Sequence, residues 1–295
     1  TQPGMNPAPR DVRSAMRWSS AALSILTLAS ATFWLQTERP ARAQRDTPSG
    51  EAVVVERVRL PRAPTAPAGD RTLTLVCVDL SRYRIAVLSS VRDGPARTLD
   101  RWVRDFRLHG GINAGMFLPN RRPVGTLIDR GEVISDRDPA RYDAIVGWDP
   151  RGTRSPIAVG GAGCPQSRRA ILGRYRSAVQ GFRTMIDCAG HARPWPSRRR
   201  YSAAAFGADS EGRAVFLHVR TPYRVAILNR MIEQLDLGIR GLVYMEGGPE
   251  ASLVVRAPGH RVDEMGSWED GFFESDDNRR YWELPSVIGF QPRGE

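Results

Sequence analysis

Beyond residue 70 the apolar positions come in short runs, mostly β-branched or alternating, which is the pattern of strands rather than of helices. Thr72–Asp79 and Arg84–Ser90 read as two strands paired around Ser81-Arg82-Tyr83. Leu99, Trp102, Val103 and Phe106 fall at helical spacing, with Thr98 placed to cap that helix and Gly110-Gly111 to stop it. Thr126–Asp129 and Glu132–Ser135 flank Asp129-Arg130-Gly131 and predict a hairpin. Tyr142–Trp148 and Ser155–Val159 are further strands, and Arg168–Arg176 carries a short helical pattern. Ser202–Asp209 and Arg213–Arg220 predict two strands joined by the turn-rich Asp209-Ser210-Glu211-Gly212. A second helix comes next, with Thr221 as cap, Pro222 in the first turn, Val225, Leu228, Ile232 and Leu235 as its buried stripe, and Gly238 as its stop. Gly241–Met245, Ser252–Arg256 and Ser286–Gln291 complete the strands. Strands and helices do not alternate strictly. The expected fold is therefore α+β, a mixed or antiparallel sheet with a few packed helices, in one main domain over residues 71–293.

The amino-terminal part has a different pattern. An apolar stretch runs from Met16 to Leu35, interrupted by Ser and Thr, after Arg10, Arg13 and Arg17. Ala41-Arg42-Ala43 fits the small-x-small cleavage rule, so residues 1–43 read as a signal peptide, with an uncleaved membrane anchor as the alternative. Periplasmic or secreted location is the expectation. Residues 44–70 read as a Pro-, Ala- and Arg-rich linker with one strand-like insert, Ala52–Val58.

Composition narrows the partners. The chain has 295 residues and a net charge of +11, and its 43 basic residues are all arginine. They are spread along the chain, and no helix-turn-helix, zinc-finger or RNP pattern accompanies them, so nucleic acid is not the expected partner. No His cluster or C-x-x-C pair has ligand spacing, and no metal or cofactor is expected. Of the three cysteines, Cys77 lies in an apolar run. Cys164 and Cys188 can pair in an oxidising compartment and close a mid-chain loop.

Four segments are candidates for chemistry. Glycines weaken a strand unless something approaches its backbone closely, and Gly110–Phe117 holds three of them around Asn113, which carries two amide donors and an acceptor. The alternative is a tight bend capped by Asn113. Tyr244-Met245-Glu246-Gly247-Gly248 places a carboxylate where an apolar strand opens into a glycine turn, suited to a general acid, a base or an orienting group; the alternative is a solvated acidic turn. Ser197-Arg198-Arg199-Arg200 could clamp a phosphate, or be an ordinary basic loop. Gln180-Gly181 is the fourth.

Taken together these segments resemble the phosphodiester glycosidase family over about residues 70–291. Gly111–Phe117, with Pro123-Val124-Gly125 downstream, resembles the family's Asn-(Ala/Gly)-Gly-(Met/Phe)-Phe element, and Gln180-Gly181 its Gln-x-Gly region. Arg199 or Arg200 with Ser202 resembles its Arg-x-(Ser/Ala) element. Tyr244–Gly248 with Ser252 resembles its Leu-Asp-Gly-Gly-x-Ser element, with Glu246 where the family usually has Asp. The resemblance implies hydrolysis of a sugar-1-phosphodiester, with a carbohydrate phosphodiester or envelope glycan as partner. It implies Glu246, Asn113, Arg199 and Arg200 as catalytic residues. Gly115, Met116, Gly125, Gln180, Gly247, Gly248 and Ser252 would bind substrate. The Glu for Asp exchange leaves a non-catalytic glycan-binding domain as the alternative.

Overall fold

The computed structural model describes residues 50–152 and 155–294. The apolar amino-terminal stretch and its cleavage motif lie outside these residues. In chain order the strands are β1 (Val53–Arg59), β2 (Thr72–Val78), β3 (Tyr83–Ser89), β4 (Arg97–Thr98), β5 (Gly110–Asn113), β6 (Leu127–Asp129), β7 (Glu132–Ser135), β8 (Ala144–Pro150), β9 (Ile157–Gly160) and β10 (Tyr175–Gly181). They continue with β11 (Thr184–Ile186), β12 (Arg200–Asp209), β13 (Ala214–Arg224), β14 (Ile239–Gly247), β15 (Ser252–Val255), β16 (Val262–Met265), β17 (Glu283–Leu284) and β18 (Ser286–Pro292). The helices are α1 (Leu99–Asp105), α2 (Arg168–Arg174) and α3 (Val225–Leu235), and Gly248–Glu250 forms a 3₁₀ turn.

Three antiparallel sheets enclose one core. Their strand orders are β1-β2-β13-β12-β14-β11, β7-β6-β10-β8-β9 and β16-β15-β5-β18-β3. Alternation explains the layering: in β12 and β13, Phe206 and Phe216 point inward to meet Trp148 and Phe290 from the other sheets, while Ala205, Val215 and Leu217 point outward. Each sheet then needs a cover for its outer face, and each has one helix. The α3 residues Val225, Leu228, Met231 and Ile232 cover the six-stranded sheet. In α1, Leu99, Trp102 and Val103 cover Leu88, Val254 and Val287, and in α2 Ile171 packs on Ile145, Tyr175 and Ala178. This is the expected α+β class.

Several local expectations change. β2 and β3 do not pair with each other: β2 is flanked by β1 and β13, and β3 pairs with β18. The tight turn in which Tyr83 N–H donates to the Asp79 carbonyl carries the chain from one sheet to another. Val53–Arg59, expected as an insert in a linker, pairs along its whole length with β2. Helix α1 ends before the glycines: Arg107, with φ 53°, turns the chain, and Gly110-Gly111 belong to β5. Thr221 and Pro222 lie in β13, and Arg224 precedes α3; the Thr221 hydroxyl accepts from Arg71 N–H at 2.8 Å instead of capping the helix. The hairpin at Arg130-Gly131 and the β12–β13 pair form as predicted. Cys164 and Cys188 are joined in a disulfide, and Cys77 is buried and outside any disulfide. No helix of the described residues is long and apolar enough to cross a membrane.

Candidate active site

The two glycine-bearing segments meet at β15, the strand that follows the Gly247-Gly248 turn in the chain. β15 pairs directly with β5, Leu253 opposite Ile112 and Val254 opposite Gly111. One residue further, Ser252 N–H donates to Asn113 Oδ1 at 3.2 Å, and the Ser252 hydroxyl donates to the Glu250 carbonyl at 3.0 Å. Asn113 thus bonds the start of the strand that follows the turn after Glu246. It is 1% exposed, and among the described residues its Nδ2 has no hydrogen-bond partner. Buried amides normally find partners, so this donor is suited to a group that enters the site.

A β-bulge positions Glu246. Across β12, Tyr244 stands opposite Ala205 but Glu246 stands opposite Ala204, so Met245 is the extra residue. A bulge shifts the alternation by one and re-aims the side chains beyond it. Glu246 therefore takes the face of Ala204, which belongs to the central core, not the outward face of Tyr244. The Gly247 N–H donates to Glu246 Oε1 at 3.1 Å. Gly248 has φ 67°, and a β-carbon there would lie 2.9 Å from Glu269 Oε2 and 3.4 Å from Glu250 Oε2. Glycine is needed on both counts, for the left-handed backbone and for the carboxylates packed against it.

Three half-buried carboxyl groups consequently lie close enough to shift one another. Burial pushes Glu246 well above the ordinary carboxylate range, and the charge of Glu250 adds to it. Burial, with the nearby Glu269, pushes Glu250 up to about 7. Burial also raises Glu269, while Arg199 opposes that shift. Tyr142 is pushed up to about 12 by burial and by the Glu246 charge. Its hydroxyl contacts Met116 Sδ at 2.9 Å, which brings the β5 side of the site against the β14 side. Among the described residues no His, Cys, Asp and Glu group is arranged to hold a metal ion.

The remaining expected residues divide into framework and rim. Gln180 is buried and fully engaged: Thr126 N–H donates to its Oε1 at 3.0 Å, and its Nε2 donates to Asp138 and to the Tyr142 carbonyl. Gly125 packs against its side chain and Gly115 against its carbonyl, so these three residues fix the loop after Asn113. Gly247 packs against the Tyr244 hydroxyl. Arg200 is committed to Asp270, with Nε 3.0 Å from both carboxylate oxygens and the guanidinium over Trp268. Arg199 is half-exposed and lies 3.9 Å from Glu269, so it is the arginine that reaches the carboxyl cluster.

Glu250, Glu269 and Tyr142 belong to this arrangement although no motif marks them. Glu250 appears in sequence only as spacer, and Glu269 lies far downstream in Ser267-Trp268-Glu269. Glu250 also borders an open cleft of about 880 Å³, together with Phe117, Met265, Arg280 and Trp282.

The sequence profile described as phosphodiester glycosidase matches residues 106–291, which spans both segments. The chain belongs to the phosphodiester glycosidase family. No curated protein matches it in sequence. Two solved structures share the fold of this family member. One is the zebrafish N-acetylglucosamine-1-phosphodiester alpha-N-acetylglucosaminidase catalytic domain auto-inhibited by its pro-peptide, at 13% identity and TM-score 0.57, covering 82% of each chain. The other is a hypothetical protein from Synechocystis, at 13% identity and TM-score 0.55, covering 82% of this chain and 62% of that one.

Proposed function

We propose that the protein is an exported hydrolase that cleaves a sugar-1-phosphodiester in an envelope or extracellular glycan. The observation that carries this reading is the clustering of Glu246, Glu250 and Glu269 around the Gly247-Gly248 turn, with Asn113 bonded to Ser252 just beyond that turn and Glu250 bordering an open cleft, in a chain of this family. Glycosidic cleavage builds positive charge on the sugar and needs a carboxylate near it. Two carboxyl groups held at different pKa values divide acid and base work between them. Glu246, the group kept protonated, hydrogen-bonds the oxygen leaving the sugar. Glu250, which ionises at about 7, faces the developing cation or activates water. Phosphate is already a good leaving group, so stabilising its charge matters more than protonating it. Arg199 is placed for that, and Arg200 positions the Asp270 loop instead.

Glu246→Gln tests the assignment. On an N-acetylglucosamine-1-phosphodiester it should lower kcat about 100-fold or more, the usual contribution of a positioned acid or base. An unchanged rate in a folded variant contradicts it. A binding-only role is favoured by one feature, Glu246 standing where the family resemblance expects Asp; glycan retention without turnover by the wild type would select it. Export is supported by the Cys164–Cys188 disulfide, since such bonds persist in oxidising compartments. Mass analysis of the chain recovered from the cell envelope or medium tests it: a cleaved terminus near Gln44 is expected, and an exclusively cytoplasmic full-length chain contradicts it.

A further inference from the structure

We infer that the cleft beside Glu250 holds the neighbouring units of a polymeric substrate, a glycan whose sugars are joined through phosphodiesters. This rests on the proposed reaction and names its substrate class. The first observation is size. About 880 Å³ lies near the top of the roughly 300–1,000 Å³ typical of small-molecule sites, more than one sugar phosphate fills. The cleft also continues: a second depression of about 350 Å³ shares Arg279, Arg280 and Trp282 with it and runs on to Phe273.

The second observation is the lining. Arg101, Arg121, Arg279 and Arg280 face the same space and outnumber the acidic Asp100, Glu250 and Glu283 there. Arg121 is paired with Glu283 at 2.9 Å, and Arg279 is held by the carbonyls of Asp276 and Asn278. Arg101 and Arg280 are exposed, and among the described residues neither has a carboxylate partner. Guanidinium groups suit phosphate oxygens in both geometry and charge.

The third observation is aromatic. Phe117, Tyr281 and Trp282 line the cleft. Trp282 is braced edge-on by Phe272 and Phe273, with centroids 6.0 Å and 5.9 Å away. Rings offer a platform for the apolar faces of sugars. Rings and guanidiniums that share one wall match sugars and phosphates that alternate along one chain. A single sugar-1-phosphodiester with an alcohol aglycone carries one phosphate, which sits at the scissile bond and leaves Arg101 and Arg280 without an anion.

The test compares two probes on the full chain: the methyl diester of N-acetylglucosamine-1-phosphate, and a polymer of the same sugar-phosphate repeat. Arg280→Ala and Trp282→Ala should each raise KM for the polymer about tenfold, the effect of losing one charge-assisted contact. KM for the methyl diester should stay within about twofold. Added salt should weaken the polymer reaction more steeply in the wild type than in Arg280→Ala. Equal effects on both probes, or none on the polymer, overturn the inference. If neither probe is hydrolysed, the proposed reaction fails on its own. Fluorescence anisotropy with labelled polymer then still decides the cleft: weaker binding by Arg280→Ala supports it, and unchanged binding, or polyuridylate binding as tightly, overturns it.

Discussion

Gly110-Gly111 in β5 and Gly247-Gly248 at the end of β14 look alike in sequence, and the structure gives them different reasons. A β-carbon at Gly110 would lie 2.5 Å from the Phe290 ring and 2.7 Å from the Val254 carbonyl. The core demands that glycine, because β5 is squeezed between β15 and β18 under an aromatic side chain. At Gly248 the neighbours are the carboxyl groups of Glu269 and Glu250, and the backbone is left-handed. A double glycine therefore marks close approach, but the identity of the approaching group decides whether the segment builds the scaffold or the site.

Variants at these glycines, at His218 and at the two arginines separate scaffold from site, in order of expected size. Gly248→Ala forces a side chain into the left-handed region and against Glu269, costing about 1–2 kcal/mol of stability. It should also lower kcat/KM about 100-fold by moving a carboxyl group, since misplacement of about an ångström has that effect. Gly110→Ala overpacks the core and should cost about 1–3 kcal/mol in urea unfolding, while its kcat at low temperature stays near wild type. An equal loss of kcat in both variants would erase the distinction.

His218 ties the carboxyl turn to the core, its ring nitrogen 3.2 Å from the Ala251 carbonyl. Burial holds its pKa down from 6.5 to about 4. Between those values the unfolded chain takes up a proton that the folded chain refuses, so stability falls as pH drops below 6.5 and continues to fall toward 4. From about pH 7.5 to about pH 5 the loss from this group should be about 2 kcal/mol. His218→Gln should flatten that slope in unfolding measurements across the range; the same slope in the variant would show that other groups carry it. The smallest effects concern the arginines. Arg199→Ala should raise KM for a sugar phosphodiester about tenfold and Arg200→Ala less than about threefold, because Asp270 already occupies Arg200. The reverse ranking would return the phosphate to Arg200.

The sequence patterns carried the strand-rich architecture well, because alternation is a local property and β12, β13 and α3 are strongly patterned. Pairing was less legible. β2 and β3 adjoin in the chain but serve different sheets, a choice made by the core and not by the turn between them. Of the candidate site, the sequence exposed Asn113 and Glu246, where glycines and a carboxylate coincide. Glu250, Glu269 and Tyr142 were hidden because their role depends on a bulge at Met245 and a left-handed Gly248, which only the folded chain displays. Arg199 and Arg200 are adjacent and chemically identical, and their carboxylate partners, Glu269 for Arg199 and Asp270 for Arg200, distinguish them.

The central claim is that the half-buried carboxyl pair Glu246 and Glu250 performs the reaction. The pH dependence of kcat/KM for a sugar-1-phosphodiester, compared between wild type and Glu250→Gln, addresses it most directly. This ratio reports groups titrating in the free enzyme. The wild type should show a limb rising through about pH 7 as Glu250 loses its proton, and the variant should lose that limb along with most of its activity. A variant that keeps both the limb and the rate would contradict the account.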